Sequence, residues 1–412
     1  MSISFTVLAR TSVNGARLGV LRTPHGEVPT PAFMPVGTAA ALKGLTVPQV
    51  RACGASMILN NAYHLMLRPG ERRVAEMGGV QRFMGWNGPI LTDSGGFQAF
   101  SMSATSDIDE DGVTFRSFVD GSRVHLGPER SMEVQHALGA DVIMAFDDCP
   151  PTTAAGAEEE AEAARAGSVR AARIRRPTDP AARAREAHLR TIRWLERCVR
   201  AHRGHEARQA LFGIVQGGTD LGLREESVAG VCAFDLPGFA IGGVAVGEST
   251  AQIRRVVEFT APRLPADRPR YLMGVGYERD IVAAVAAGVD MFDCVLPTRS
   301  GRNALAFTRT GPIRLRNAVH AGDPGPIDPA CDCEACAGGL GRAYLRHLFM
   351  AGEMLGPVLT SLHNVRHFQR LLLDIRRAIR DDAWSSVSQG WPCLAAGGEP
   401  PEDLHAGPAG EA

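Results

Sequence analysis

Apolar and polar positions alternate with a period of two over residues 4–9 and 16–22, and these runs flank Asn14-Gly15. That pattern predicts a β-hairpin closed by a tight turn. Beyond it the rhythm changes to short apolar runs separated by stretches at helical spacing. The predicted strands are residues 32–37, 57–63, 89–95, 141–148, 210–216, 238–243, 270–276 and 290–297. The predicted helices are 48–53, 71–77, 128–138, 183–199, 223–232, 250–259 and 280–287. Pro128 stands in a first helical turn after Gly127, while Gly139 and Gly288 follow helix ends. Strands alternating with helices imply right-handed βαβ units and a parallel sheet. Eight strands are also the number that closes a barrel. A doubly wound sheet is the alternative, but no Gly-x-Gly-x-x-Gly opens the first helix.

The polar residues favour the barrel. Asn60, Asp93, Asp147, Gln216 and Asp293 all fall at or near the C-terminal ends of apolar strands, the face that carries the active site in this architecture. A second hairpin, residues 113–126 with Asp120-Gly121 at its tip, interrupts the alternation after the third strand. Residues 151–187, rich in Ala, Glu and Arg with Pro177 and Pro180 among them, read as a mobile or partly helical excursion. The Gly, Pro and Ala of the tail from about residue 395 predict no regular structure.

Composition adds limits rather than a function. A chain of 412 residues with 45% apolar content can bury a large core. The net charge of -1 leaves a nucleic-acid partner open, because a local basic patch suffices. Nearly all the cations are arginine, which suits bidentate phosphate contacts. The first ten residues hold no apolar signal region, and no run of roughly 18 apolar residues occurs. Nine cysteines, an odd number, fit a reducing cytoplasm better than a disulfide framework.

Four segments carry chemistry. Cys331-x-Cys333-x-x-Cys336 places three thiols within six residues, a pattern for zinc, which needs a fourth ligand. His363, heading a predicted last helix at 364–380, is the first candidate and His347 the second. A closed Cys3His site is structural, since no position remains open for water. Asp93-Ser-Gly-Gly-Phe-Gln98 ends the third strand; its glycines allow close backbone approach, and Phe97 offers a stacking face. Asp147, Gln216 and the Gly242-Gly243 backbone together suit the edge of a purine-like base: the carboxylate accepts from N–H groups, the carboxamide and the Gly243 N–H donate to a carbonyl. The same groups would equally satisfy one another inside a core.

The fourth segment is Met291-Phe-Asp-Cys-Val-Leu-Pro-Thr-Arg-Ser-Gly-Arg-Asn303, read as an apolar strand broken into a loop by Pro297 and Gly301. An ionised Asp293 in such a strand costs several kcal/mol unless paired or used. Two readings stand: a salt bridge to Arg299 or Arg302, or a reactive carboxylate beside a phosphate-binding loop. If Asp93 shares the pocket, two carboxylates can perform glycosidic chemistry, one attacking the anomeric carbon and the other handling protons. His25-Gly-Glu27 imitates the His-x-Glu of zinc deaminases but lacks the Pro-Cys-x-x-Cys partner.

Taken together, DSGGFQ at 93–98, FDDC at 146–149, IVQGG at 214–218, IGGVAVGE at 241–248, MFDCVLPTRSGRN at 291–303 and CDCEAC at 331–336 resemble the bacterial queuine tRNA-ribosyltransferases, or tRNA-guanine transglycosylases, in order over roughly residues 5–390. The resemblance implies a (β/α)8 TIM barrel with an N-terminal hairpin, an inserted hairpin and a C-terminal zinc-binding subdomain. The expected organisation is a barrel over 1–303, a zinc subdomain over 304–363, a final helix over 364–390 and a loose tail over 395–412. The implied reaction replaces guanine at the wobble position of tRNAs with GUN anticodons by 7-aminomethyl-7-deazaguanine (preQ1). The implied partners are the tRNA anticodon arm and a second copy of the chain. Asp293 is then the nucleophile and Asp93 the general acid/base; Asp147, Gln216 and Gly243 grip the base, which Phe97 and Met273 sandwich. Arg299 and Arg302 contact the RNA, and Cys331, Cys333, Cys336 and His363 hold one structural Zn2+. Val246 corresponds to a position that is branched in the bacterial members and smaller in eukaryotic ones, so its methyls are expected to exclude queuine's larger 7-substituent. Val244, Asn303-Ala-Leu305 and the residues near Leu340, where a tryptophan is expected, depart from the family pattern.

Overall fold

A computed structural model of the protein describes residues 3–101, 107–150, 179–245 and 247–395. Strands are numbered in chain order. The N-terminal hairpin gains a strand, so that β1 (Ser4–Arg10), β2 (Arg17–Thr23) and β3 (Gly26–Thr30) form an antiparallel sheet. Next come the barrel strands β4 (Ala32–Pro35), β5 (Ile58–Asn60) and β6 (Ile90–Thr92). The inserted hairpin also gains a strand: β7 (Asp107–Ile108) pairs with β8 (Val113–Arg116), and β8 with β9 (Arg123–Leu126). The barrel resumes with β10 (Val142–Met144), β11 (Ala210–Val215), β12 (Gly238–Ile241), β13 (Arg270–Leu272) and β14 (Met291–Cys294).

The eight barrel strands lie parallel in the order β4-β14-β13-β12-β11-β10-β6-β5. A parallel bridge between Val36 and Leu59, with the Gly37 N–H donating to the Leu59 carbonyl at 2.7 Å, joins the two ends. The sheet is a (β/α)8 barrel. Its interior is filled by Met34, Leu59, Leu91, Met144, Phe212, Ile214 and Met291, and Leu21 and Val28 of the N-terminal sheet belong to the same cluster. Burying each such side chain contributes about 1.5–3 kcal/mol. A larger apolar layer packs the helices onto the outside.

Each predicted strand is present but shorter. Apolar runs continue past the last paired residue because loop side chains at the C-terminal mouth are buried as well, as Ala145, Phe146 and Val244 show. The predicted 57–63 strand stops at Asn60, and Tyr63 lies in the helix Ala62–Leu67. Among the helices, Pro128–Leu138 has the predicted bounds, and the others agree to within a few residues at each end. Of the excursion at 151–187, only residues 179–187 lie among those described. There Asp179 caps a helix, Pro180–His202, with its carboxylate accepting from the Ala181 and Ala182 N–H groups.

Two corrections touch the site. Residues after β14 form a helix, Leu296–Arg302, rather than a loop. Pro297 sits in its first turn, where the missing N–H costs nothing. Gly301 is needed for packing, since a Cβ there would lie 2.6 Å from the Ser361 Cα. The last long helix runs Leu355–Arg380, so His363 stands in its body instead of at its head. Pro357 falls in its first turn.

Candidate active site and metal centre

The predicted site residues are delivered by consecutive strand ends. Asp93 follows β6 directly, Asp147 lies just past β10, Gln216 follows β11 and Gly242-Gly243 follow β12. Met273 and Gly274 follow β13, while Asp293 is the third residue of β14. All reach the C-terminal mouth because parallel strands end on one face.

Asp293 Oδ1 accepts from the Tyr271 hydroxyl at 2.6 Å and from the Gly274 N–H at 2.9 Å. Asp93 Oδ1 accepts from the Ala62 N–H at 2.8 Å, and Oδ2 from the side-chain amides of Gln98, at 2.9 Å, and Asn61. Asp147 Oδ2 accepts from Gln216 Nε2 at 2.6 Å, while the Ser94 hydroxyl donates to Oδ1 at 3.4 Å. Every one of these donors is neutral. The salt-bridge reading of Asp293 is therefore not what the structure shows.

Burial without a cation raises all three carboxyls above their ordinary range. Asp93 is pushed up to about 6, chiefly by desolvation, with the Asp293 charge adding to it. Asp147 is pushed up to about 7 by desolvation, with the Asp148 and Asp93 charges acting in the same sense. Asp293 is raised by desolvation and pulled back by Tyr271 and Gly274. The Asp293 charge acts on Asp93, so the two carboxylates lie near one another. Among the described residues no donor reaches Asp293 Oδ2, while Oδ1 holds the group in place.

The glycines set the shape. Gly243 has φ +61°, and a Cβ there would stand 2.2 Å from Gln216 Oε1. At Gly242 a Cβ would lie 3.1 Å from Gln216 Nε2 and 3.6 Å from Met273 Sδ. Any side chain at either position would displace the carboxamide. Phe97, on the short helix Gly96–Ser101, is 41% exposed, leaving a ring face free at the mouth. Met273 is half-buried. Val246 lies outside the described residues.

Arg299 and Arg302 stand on the helix after β14, both partly exposed and both engaged with neighbours. The Arg299 charge reaches Cys294 and Tyr277, which places it beside the end of β14. Asn60, predicted at the mouth, serves the backbone instead: with its amide nitrogen turned inward it donates to the Leu59 and Gly37 carbonyls at 3.0 Å each. Asp148 of the FDDC segment turns away from Asp147 into a buried clamp. Arg183 binds it at 2.8 and 2.9 Å and Arg190 at 2.6 Å.

Several contributors were not visible in the sequence reading. Tyr271 orients Asp293, Asn61 and Gln98 hold Asp93, and Arg224 braces the loops after β11 and β12. Fully buried Arg224 donates to the carbonyls of Gly218 at 2.8 Å, Val215 at 3.0 Å and Gly243 at 2.9 Å. A signal was available in part. A tyrosine inside an otherwise apolar strand must place its hydroxyl somewhere, and an arginine on the inner face of an amphipathic helix needs acceptors.

Cys331, Cys333, Cys336 and His363 converge, with one ligand atom from each and all of them within 4.8 Å of one another. His363 Nε2 donates to the Phe307 carbonyl at 2.7 Å, which turns Nδ1 to the thiols, 3.3 Å from Cys336 Sγ and 3.6 Å from Cys333 Sγ. A histidine held by its other nitrogen is the usual arrangement of a metal ligand. The donor set fits a closed tetrahedral ion. His347, the second candidate, is not part of the cluster.

A family model described as queuine tRNA-ribosyltransferase matches residues 12–179 and 171–391. Among the relatives is a queuine tRNA-ribosyltransferase of Pelotomaculum thermopropionicum, 48% identical over 382 residues, or 92% of this chain and 95% of the relative. Proteins of the same name from Nostoc sp. and Novosphingobium aromaticivorans are each 49% identical, covering 94% and 90% of this chain and 96% and 94% of their own lengths. Agreement at that level along nearly the whole chain, around a barrel mouth built as above, makes this chain a member of the queuine tRNA-ribosyltransferase family.

Proposed function

We propose that the chain is a tRNA-guanine transglycosylase, a pentosyltransferase that exchanges guanine at the wobble position of GUN-anticodon tRNAs for preQ1. The observation that carries the chemistry is the pair Asp93 and Asp293: two neighbouring carboxyls held by neutral donors, one with an oxygen that no described donor reaches and the other pushed up to about 6. Asp293 Oδ2 attacks C1′ of the ribose as the bond from C1′ to N9 of guanine breaks, through an oxocarbenium-like transition state. Asp93, in its acid form, gives its proton to the departing base. The ribose now rests on Asp293. Guanine leaves, preQ1 enters the same pocket, and Asp93 removes its N9 proton. The new base attacks C1′ and releases the Asp293 carboxylate, so two inversions give retention.

The base edge is read by Asp147, Gln216 and the Gly243 N–H, with Phe97 and Met273 on its faces. Arg299 and Arg302 take phosphates of the anticodon arm. Zinc held by Cys331, Cys333, Cys336 and His363 ties the 304–363 segment to the long helix and takes no part in the reaction. Cys333→Ser should therefore lose the metal and loosen that segment; folded, active protein without zinc on metal analysis would contradict this. The exposed apolar side chains Tyr344, Met350, Met354 and Leu355 at one edge support a homodimer. A cytoplasmic setting agrees with free thiols and a tRNA substrate. Selectivity at the 7-position is assigned to Val246, whose replacement by Gly should improve queuine use about ten- to a hundred-fold.

The test is exchange itself. Labelled guanine should enter a GUN-anticodon tRNA and be chased out by preQ1. Failure of both, with intact tRNA binding, would leave a binding protein rather than an enzyme.

A further inference from the structure

The helix Leu296–Arg302 has no side-chain cap, because Val295 at its N-cap offers none. It is seated instead on the 26-residue helix Leu355–Arg380. Gly301 packs against Ser361 so closely that no Cβ fits, and the Ser361 hydroxyl donates to the Thr298 carbonyl at 3.3 Å. Asn364 completes the seat. Fully buried, its Nδ2 donates to the carbonyls of Pro297 at 3.0 Å and Leu305 at 2.9 Å. Its Oδ1 accepts from the Phe307 N–H at 3.0 Å. The preceding residue, His363, holds the carbonyl of the same Phe307 while presenting Nδ1 to the thiols. Two consecutive side chains thus grip both backbone groups of Phe307, one from the metal cluster and one from the amide.

We propose that Asn364 is a positioning residue for RNA recognition, fixing the Leu296–Arg302 helix, and with it Arg299 and Arg302, against the metal-centred layer. The proposal rests on the reading that those arginines contact RNA. Its chemistry is specific to an amide: the site needs two donors and one acceptor on one planar group, which only Asn supplies at this length. Aspartate would keep the Phe307 bond but set a carboxylate against two carbonyls, tilting the helix.

Asn364→Asp and Arg302→Ala, singly and together, should be compared for zinc per chain, for kcat and KM with tRNA, and for the salt dependence of tRNA binding. Asn364→Asp should retain zinc and kcat while KM for tRNA rises about tenfold. Arg302→Ala should lower the salt slope by about one. The double variant should be no weaker than Asn364→Asp alone, since a misplaced arginine has no contact left to lose. Gly301→Ala, which moves the same helix without altering the amide, should repeat the KM-selective loss. Additive losses, loss of zinc in Asn364→Asp, or unchanged KM in both helix-moving variants would overturn the proposal. No effect of Arg302→Ala would instead overturn the RNA reading beneath it, and the two failures are distinguishable.

Discussion

Asp290, the residue just before β14, is fully buried, and Asp293, the third residue of that strand, is half-buried; they have opposite surroundings. Asp290, at the N-terminal end of the barrel, meets a fully buried Arg17 at 2.8 Å through Nε and 2.5 Å through an amino group, and it accepts from the Arg270 N–H at 2.7 Å. Asp293, at the other end, has, among the described residues, only a phenol and a backbone amide. Around β10 the carboxylate at the closed end is likewise held through both oxygens, here by neutral donors and a histidine ring. At the closed end Asp141 accepts from Gln81 at 3.2 Å and the Ile90 N–H at 2.9 Å and lies 2.8 Å from the His25 ring. At the mouth Asp147 has, among the described residues, only Gln216 and Ser94.

The difference separates two uses of a buried carboxylate. A paired one has its desolvation cost offset by its partner and is locked; breaking such a pair costs about 3–5 kcal/mol, because the other charge stays behind. Desolvation raises Asp290 as well as Asp293, so the difference lies in the oxygens: Arg17 takes both at Asp290, whereas among the described residues no donor reaches Asp293 Oδ2, an arrangement that suits attack. Asp147 and Asp148 show the contrast between neighbours, since Asp148 is clamped by Arg183 and Arg190.

The contrast breaks most sharply at the mouth. Asp293→Asn should abolish exchange while leaving the fold and tRNA binding intact, measured by labelled-guanine incorporation. Asp93→Asn should lower kcat by about 10²–10⁴ and leave tRNA affinity unchanged. If either variant exchanges guanine normally, the two-carboxylate scheme is wrong. The closed end should answer in the opposite currency. Asp290→Asn should destabilise the protein by about 3–5 kcal/mol in denaturant unfolding, with kcat per folded molecule unchanged. A kcat loss without a stability loss would erase the distinction between the two ends.

The smallest expected effect is the pH dependence at Asp147. Its folded pKa of about 7 exceeds the ordinary 3.8, so between those values the folded chain holds a proton the unfolded chain has released. The stability contribution of this group therefore falls as pH rises from 3.8 towards 7 and is level above it. On the proposed reading base binding uses the Asp147 carboxylate, so guanine affinity should fall about tenfold per unit as pH drops below about 7, following a single protonation. Asp147→Asn should flatten both slopes. Persistence of either slope in the variant would place the titration elsewhere.

The barrel was legible because its parallel strands are apolar on both faces and its helices carry the capping residues expected of them. Asp93, Asp147 and Asp293 were legible as charges within apolar runs. What escaped depends on contacts distant in sequence. Nothing near Tyr271 announces a partner 22 residues on, and the seat that makes residues 296–302 a helix comes from Ser361 and Asn364. Local proline and glycine signals favoured a loop there, and tertiary packing overrode them. The last helix begins at Leu355, nine residues before the predicted start.

The central claim is that Asp293 forms a bond to the ribose. Protein mixed with tRNA and quenched in denaturant should carry RNA on the peptide containing Asp293, seen as a shifted band and located by mass analysis. Asp293→Asn should show no such band, and added preQ1 should discharge it from the wild type. An adduct at wild-type level in Asp293→Asn, or one mapped to another residue, would contradict the assignment.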